Sequence, residues 1–599
     1  MKNRKDIDIK YKWNTEAICE SPQKAEIEIE SYIDKYNKFN TKYKNNLDSA
    51  ESIYNCLTEL SELVSNFYAL VVYVYSNANI NTKDSTYQSL KSKADTIMSE
   101  ADSKIAFIEP EIIKIGSETI KNYIAENEYL NEYANYLNKI VKNEDHVLSD
   151  SEEQLLSSLA DILNASDNTY SLLANADVDF GDMIYNNEKI TLTPNNYTPI
   201  MQLGNKQERE EAFNKVHTFF KKHENSIASM YGTQIKTDNK IANIRNYNSA
   251  LESELNPKEI PISVYSNLVT TINNNLHLLH KYVELRKKAL KVDEMHMYDI
   301  YKKSFKSNLN SIEFDECKDI ILDALSPLGK EYLSILSSAF ENRWMDVYPS
   351  DGKRSGAYSG GQYKTPPLVL LNYANTNNDV STVAHELGHA IHSYYSDKNQ
   401  NFLNSNYPIF LAEIASTLNE TFLINYQLEK EQDINNKLFL LSEFLEMIKS
   451  TIFRQTQFAE FELLCHEKFQ KGENLSASDF SNIYLELNKK YYGNNIVSDD
   501  LIAYEWARIP HFYTKFYVYQ YATGLSAALS FYKMISEDPE KHLDNYLTLL
   551  KSGCSDYPLE LLKKAGLDMS TPKPIEDALK VFEDLLNEFE ILINKSLED

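Results

Sequence analysis

Residues 377–395 read NNDVSTVAHELGHAIHSYY, a run that starts with Asn and Asp, good helix N-cap residues, and then repeats its apolar positions at helical spacing. At about one hundred degrees per residue, His385 and His389 fall one turn apart on the same face, so their imidazoles can share one ion. Glu386 stands beside them. His-Glu-x-x-His on a helix is the metalloprotease pattern, in which the two histidines are ligands and the glutamate is the base that takes a proton from water.

Two histidines do not complete a catalytic zinc site, which has three protein ligands and one open position. Downstream, FLAEIASTLNETFL (410–423) is again helical in pattern and places Glu413 28 residues after His385, with a turn between at Asn404 to Pro408. An antiparallel helix pair would bring Glu413 under the imidazoles. Its neighbours Leu411, Ala412, Ile414 and Ala415 describe a buried helix, where an unpaired carboxylate would be costly and a metal would satisfy it. Glu420, seven residues on, shares that face and is placed to accept a hydrogen bond from a ligand histidine. His392 follows His389 by three; it reads as a packing or orienting residue, because a fourth protein ligand would leave no place for water.

Outward from this centre the texture changes. Upstream, SDGKRSGAYSGGQ holds Gly352, Gly356, Gly360 and Gly361, and then Pro366, Pro367 and the apolar run LVLLNYA follow. That is a mobile loop leading into a strand, with the strand placed to pair with a bound backbone. From about 22 to 180 the chain repeats amphipathic helices, and FYALVVYVY (67–75) reads as a core helix, well short of the ~20 residues of a membrane span. The segment 186–205 breaks the pattern with an alternating ITLT run and a Pro-Asn-Asn turn, and is the expected domain boundary: an N-terminal helical domain over 1–195 and an HExxH domain over 196–599.

Composition agrees. With 15 glycines and 16 prolines in 599 residues, little punctuates long elements, so a mainly α fold with a small sheet beside the HExxH helix is expected. A net charge of -27 without basic patches argues against nucleic acid and anionic membranes as partners. Five scattered cysteines with no CxxC pair, and an N-terminal MKNRKDIDIKYKW without the apolar stretch of a signal peptide, point to a reduced, cytoplasmic protein.

One further stretch asks for explanation. RIPHFYTKFYVYQYATG (508–524) crowds tyrosines and phenylalanines behind His511. Wound as one helix, Phe512, Phe516 and Tyr519 form one stripe and Tyr513, Tyr517 and Tyr521 its neighbour, so most of the rings pack.

Together with MDVYPSDGKRSGAYS (345–359), PPLVLLNYANTNNDVSTVAHELGHAIHSYYS (366–396) and FLAEIASTLNE (410–420), that stretch resembles the oligoendopeptidase F family within the thimet-oligopeptidase-like zinc peptidases. The resemblance implies a large helical zincin-like clamshell with a deep substrate channel. It also implies one Zn2+ per chain and short peptides as substrates, in a monomer or small homo-oligomer. Residue by residue it implies His385, His389 and Glu413 as metal ligands, Glu386 as general base, and His511 with Tyr519 facing the scissile carbonyl. Thimet-like relatives carry Tyr-Tyr-x-Tyr where this chain has Phe516, Tyr517, Val518 and Tyr519, which leaves Tyr517 or Tyr513 for a second tyrosine; Tyr517 is taken. Two other readings use the same residues: a carboxypeptidase-type exopeptidase, which needs a basic residue for the substrate carboxylate, and a catalytically silent peptide-binding protein.

Overall fold

Ser21, Ser49 and Asp84 each turn a side-chain oxygen onto the first amides of a helix, and these caps start α1 (Pro22–Tyr43), α2 (Ala50–Ile80) and α3 (Ser85–Ile105). Their apolar stripes meet in one core. Ile29, Ile53, Leu57, Phe67, Val74 and Ala94 are fully buried in it, so the apolar run 67–75 is indeed a core helix. Residues 4–306 and 309–598 are described in this computed structural model; Met1 to Asn3 of the N-terminal stretch lie outside them. No described helix is long and apolar enough to cross a membrane.

The chain divides into two compact units, each assembled from three separate stretches. Unit one takes Met1–Glu144, Leu309–Gln427 and Phe531–Leu567; unit two takes Asp145–Asn308, Leu428–Ser530 and Asp568–Asp599. The segment 186–205, expected to divide domains, lies within unit two, where Asp182–Tyr185 and Glu188–Thr191 pair as an antiparallel hairpin. Asn186 and Asn187 supply its two-residue turn, with φ of 52° and 65° as a type I′ turn requires.

Unit one carries α1 to α3 and a three-stranded sheet of β1 (Met345–Asp346), β2 (Tyr358–Gly360) and β3 (Leu368–Leu370), in the order β1–β3–β2. β3 runs parallel to β1 and antiparallel to β2, with Val369 opposite Met345 and Ser359. This corrects one expectation. The LVLLNYA strand is central and buried, both its edges are taken, and it has no edge to offer another chain; the edge strand next to it is β2.

The glycine-rich loop is also less free than its composition suggests. Gly352 accepts from the amide and hydroxyl of Thr82, and the Arg354 amide donates to Asn79 at the end of α2. A Cβ on Gly352 would stand 2.5 Å from Asn81 Oδ1, and φ there is +77°, so only glycine fits this docked turn. Lys353 is fully buried against Asp346 at 2.8 Å, which Arg4 also clasps through both oxygens.

In unit two, the aromatic residues Tyr231, Phe461, Phe480, Trp506 and Phe512 pack ring on ring at centroid distances between 5.0 and 6.5 Å. The His511 stretch rests on this cluster.

Candidate metal centre and active site

The HELGH residues sit in α4 (Asn377–Asn399), and FLAEIASTLNE in α5 (Ile409–Lys430). α4 is opened by a capping box between Thr376 and Asp379, so the cap is the threonine before the two asparagines. Gly388 lets the two helices close. A Cβ at that position would lie 2.6 Å from Ser416 Cα and 2.7 Å from the Ala415 carbonyl, so the backbone of α5 occupies the space a side chain would need. Asn419, fully buried, pins the crossing by donating to the Ala384 carbonyl at 3.0 Å, and Tyr332 donates to Asn419 Oδ1 at 2.8 Å.

This crossing brings the expected ligands together. Glu413 Oε2 stands 3.6 Å from His385 Nε2 and 3.7 Å from His389 Nε2, and the two imidazoles are inclined at 81° with centroids 4.9 Å apart. One donor atom from each lies within 4.8 Å of the others. Donors ~2.0–2.1 Å from a tetrahedral zinc are about 3.4 Å apart, so the set fits that ion, and two imidazoles with one carboxylate are its usual partners in hydrolytic sites.

Around the three donors the second contacts are in place. His385 Nδ1 faces Glu420 Oε2 at 3.0 Å, with Ser381 donating to the other oxygen at 3.0 Å, which turns Nε2 toward Glu413. Burial opposes charge on this imidazole, but Glu420, Glu413 and Glu386 outweigh it and raise its pKa to about 9. His389 is pushed the other way, by burial and by His385, while the Ala412 carbonyl holds its ring. Ser416 donates to Glu413 Oε2 at 3.1 Å.

Glu386 is buried, and burial raises its carboxyl pKa; the His385 charge and the Ser359 amide of β2 partly offset this. Its carboxylate is turned onto the edge strand. His392 is fully buried, stacks on Tyr407 at 3.6 Å and 6°, and has no hydrogen-bond partner at either nitrogen among the described residues; it packs the helix and lies outside the cluster of His385, His389 and Glu413.

The tyrosine stretch differs from the continuous helix expected. Pro510–Tyr513 is a short 3-10 turn, Phe516 has φ +46°, and a helix starts only at Tyr519. Glu462 causes the break by accepting the Phe516 amide at 2.6 Å from inside the core. In consequence Tyr519 is 1% exposed with its ring on Tyr265, and Tyr513 is buried against Tyr170. His511 is exposed, with Tyr517 nearly parallel to it at 6.2 Å and Tyr521 edge-on to both at 6.0 and 5.4 Å. Tyr521 was hidden among the packing rings in the sequence, since the break that turns it toward His511 comes from Glu462, far away in the chain. Glycine inside the α4 helix, which costs about 1 kcal/mol against alanine, was the legible sign of the close crossing.

Two imidazoles, a carboxylate within reach of both and a buried glutamate one position after the first histidine match the donor set and base of a hydrolytic metal site. Family comparison is consistent throughout the chain. A model described as "Peptidase family M3" matches residues 200–581, and one described as "Oligopeptidase F" matches 111–180. Oligopeptidase PepF of Bacillus subtilis is 41% identical over 99% of this chain and 89% of its own length, and group B oligopeptidase PepB of Streptococcus agalactiae is 37% identical over 100% and 99%. Among solved structures, oligoendopeptidase-F from Enterococcus faecium superposes with a TM-score of 0.73 at 36% identity, covering 95% of this chain and 98% of that one. A Chlamydophila abortus chain reaches 0.92 at 33%, covering 99% and 100%. The chain belongs to peptidase family M3, in its oligoendopeptidase F branch.

Proposed function

We propose that His385, His389 and Glu413 hold one zinc ion and that Glu386 is the general base and acid in the hydrolysis of internal bonds in short peptides. The enzyme is a metalloendopeptidase of oligopeptides. Held by these three residues, zinc would supply Lewis-acid chemistry, polarising a carbonyl and lowering the pKa of water toward neutral pH.

The chain's own groups do the rest. Glu386 takes the proton from attacking water and delivers it to the leaving amine; its raised pKa suits both tasks, and the Ser359 amide holds its carboxylate in place. Glu420 keeps the proton of His385 on Nδ1, so that Nε2 is free to ligate. The backbone of β2, an edge strand, is the part of the sheet that can pair with a substrate backbone. For the oxyanion, His511 with Tyr517 and Tyr521 is the set favoured by exposure, and burial of Tyr519 makes that ring part of the wall behind them. All five cysteines are unpaired, which supports a reducing, cytoplasmic setting.

The Nε2 and Oε2 atoms of His385, His389 and Glu413, 3.6 to 3.7 Å apart, carry this reading. It is tested with purified enzyme, an internally quenched peptide and mass spectrometry of the products. Internal cuts abolished by chelator and restored by zinc are expected. Glu386→Gln should lower turnover at least ~10²- to 10⁴-fold with bound zinc unchanged. Activity indifferent to chelator, or single-residue trimming, would overturn it.

A further inference from the structure

A second feature of unit two is not used by this chemistry. Glu505 is buried and its oxygens are spent: Arg454 holds Oε1 at 2.5 Å and the Tyr484 hydroxyl donates to Oε2 at 2.7 Å. Arg508 stands 3.6 Å from the same Oε1, beyond hydrogen-bond range, and among the described residues its guanidinium makes no hydrogen bond. Two guanidiniums therefore share one buried carboxylate, so these three groups sum to one positive charge, with Asp167 a further, exposed acid on the cavity wall. His217 does not alter this sum. It is buried, and burial, followed by the Arg508 charge, lowers its pKa to about 4.

Arg508 faces a cavity of about 230 Å³, the size of one or two side chains. Tyr197, Phe180 and Phe220 line it, and the Arg508 guanidinium lies 5.1 Å from the Tyr197 ring centroid. Tyr170, 2% exposed, also lines it, and its hydroxyl has no hydrogen-bond partner among the described residues. Asp167 shares the lining but is exposed, where solvent and salt screen it. Pro510 in the same wall is bonded directly to His511.

We propose that this cavity is a substrate subsite for a peptide carboxylate. Arg508 takes the carboxylate in a two-point hydrogen bond, and the apolar part of the same residue rests against Tyr197, Phe180 and Phe220. The proposal rests on the endopeptidase reading, since the ligand is part of the peptide being cut. A free C-terminus and an acidic side chain present the same chemistry, and the test separates them.

Three quenched peptides differ only at the end: a free carboxylate after an apolar residue, the same residue amidated, and an amidated glutamate. The wild-type enzyme should cleave the first with a kcat/KM about 10- to 100-fold above the second, mainly through KM. Equal cleavage of the third and the first would assign the subsite to side-chain carboxylates. Arg508→Gln should erase the preference, so that the free-carboxylate and amidated apolar peptides are cleaved alike by that variant, and Arg508→Lys should retain part of it, which also guards against a misfolded glutamine variant. Calorimetry of the uncut peptides on the zinc-loaded Glu386→Gln protein should show the same order. If the wild type cleaves both carboxylate-bearing peptides no better than the amidated apolar one, or if the preference survives Arg508→Gln, the proposal falls. An inactive wild type would overturn the endopeptidase reading alone, and the calorimetric preference would then still decide the subsite.

Discussion

Glu420 shows how much of the candidate metal centre lies outside its three donor residues. Its carboxylate takes His385 Nδ1 at 3.0 Å and is itself held by Ser381, so the imidazole cannot turn away. Glu420→Gln keeps the size and loses the charge; zinc affinity is expected to fall about 10- to 100-fold, read by competition with a chelator of known affinity, with the fold unchanged by circular dichroism. The grouping of His385, His389 and Glu413, with Glu420 against His385, was legible in the sequence, because helical periodicity aligns residues that share a face. Asn419 and Tyr332 were not. Their value lies in a contact between α5 and a helix some ninety residues upstream, which no local spacing encodes.

Among the elements, the crossing of α4 and α5 is the most exacting. Gly388→Ala would place a methyl 2.6 Å from Ser416 Cα and 2.7 Å from the Ala415 carbonyl, contacts that only backbone movement can relieve. Despite alanine's better helix propensity, the variant should lose ~1–3 kcal/mol of stability and bind zinc more weakly; thermal melts with and without zinc would register both. Long amphipathic helices were readable, since their apolar stripes are local. The sheet was harder: LVLLNYA was recognisable as a strand, yet its place between two others depends on partners at 345 and 358. Likewise, nothing within the tyrosine stretch announces that Glu462 will stop a helix at Phe516. A Glu462→Ala variant removes that acceptor and leaves the Phe516 amide buried and unpaired, a loss of about 1–3 kcal/mol measurable by urea unfolding.

On the scale of the whole molecule, acid should loosen unit two through His217. The group is neutral when folded, with a pKa of about 4 against 6.5 in the open chain, so the unfolded state binds its proton first as pH falls. The stability it contributes is complete above pH 6.5 and is lost progressively toward pH 4. Urea unfolding at pH 7, 5.5 and 4 should show that decline, and His217→Asn, which keeps a donor for the Phe213 carbonyl, should flatten it. The helical class was plain from composition, whereas the partition of the chain was not, because both units are laced from distant stretches. That lacing governs the order of manufacture. α4 and α5 leave the ribosome well before Phe531–Leu567, whose residues secure the far end of α4: Gln400 donates to the Lys551 carbonyl, and the Cys554 amide to Asn404. At ~5–20 residues per second, synthesis from residue 427 to 567 takes roughly 7 to 28 s. Throughout that interval the growing chain carries the helices of the candidate metal centre in an unfinished unit, and a potentially destructive enzyme matures only once Phe531–Leu567 has joined them.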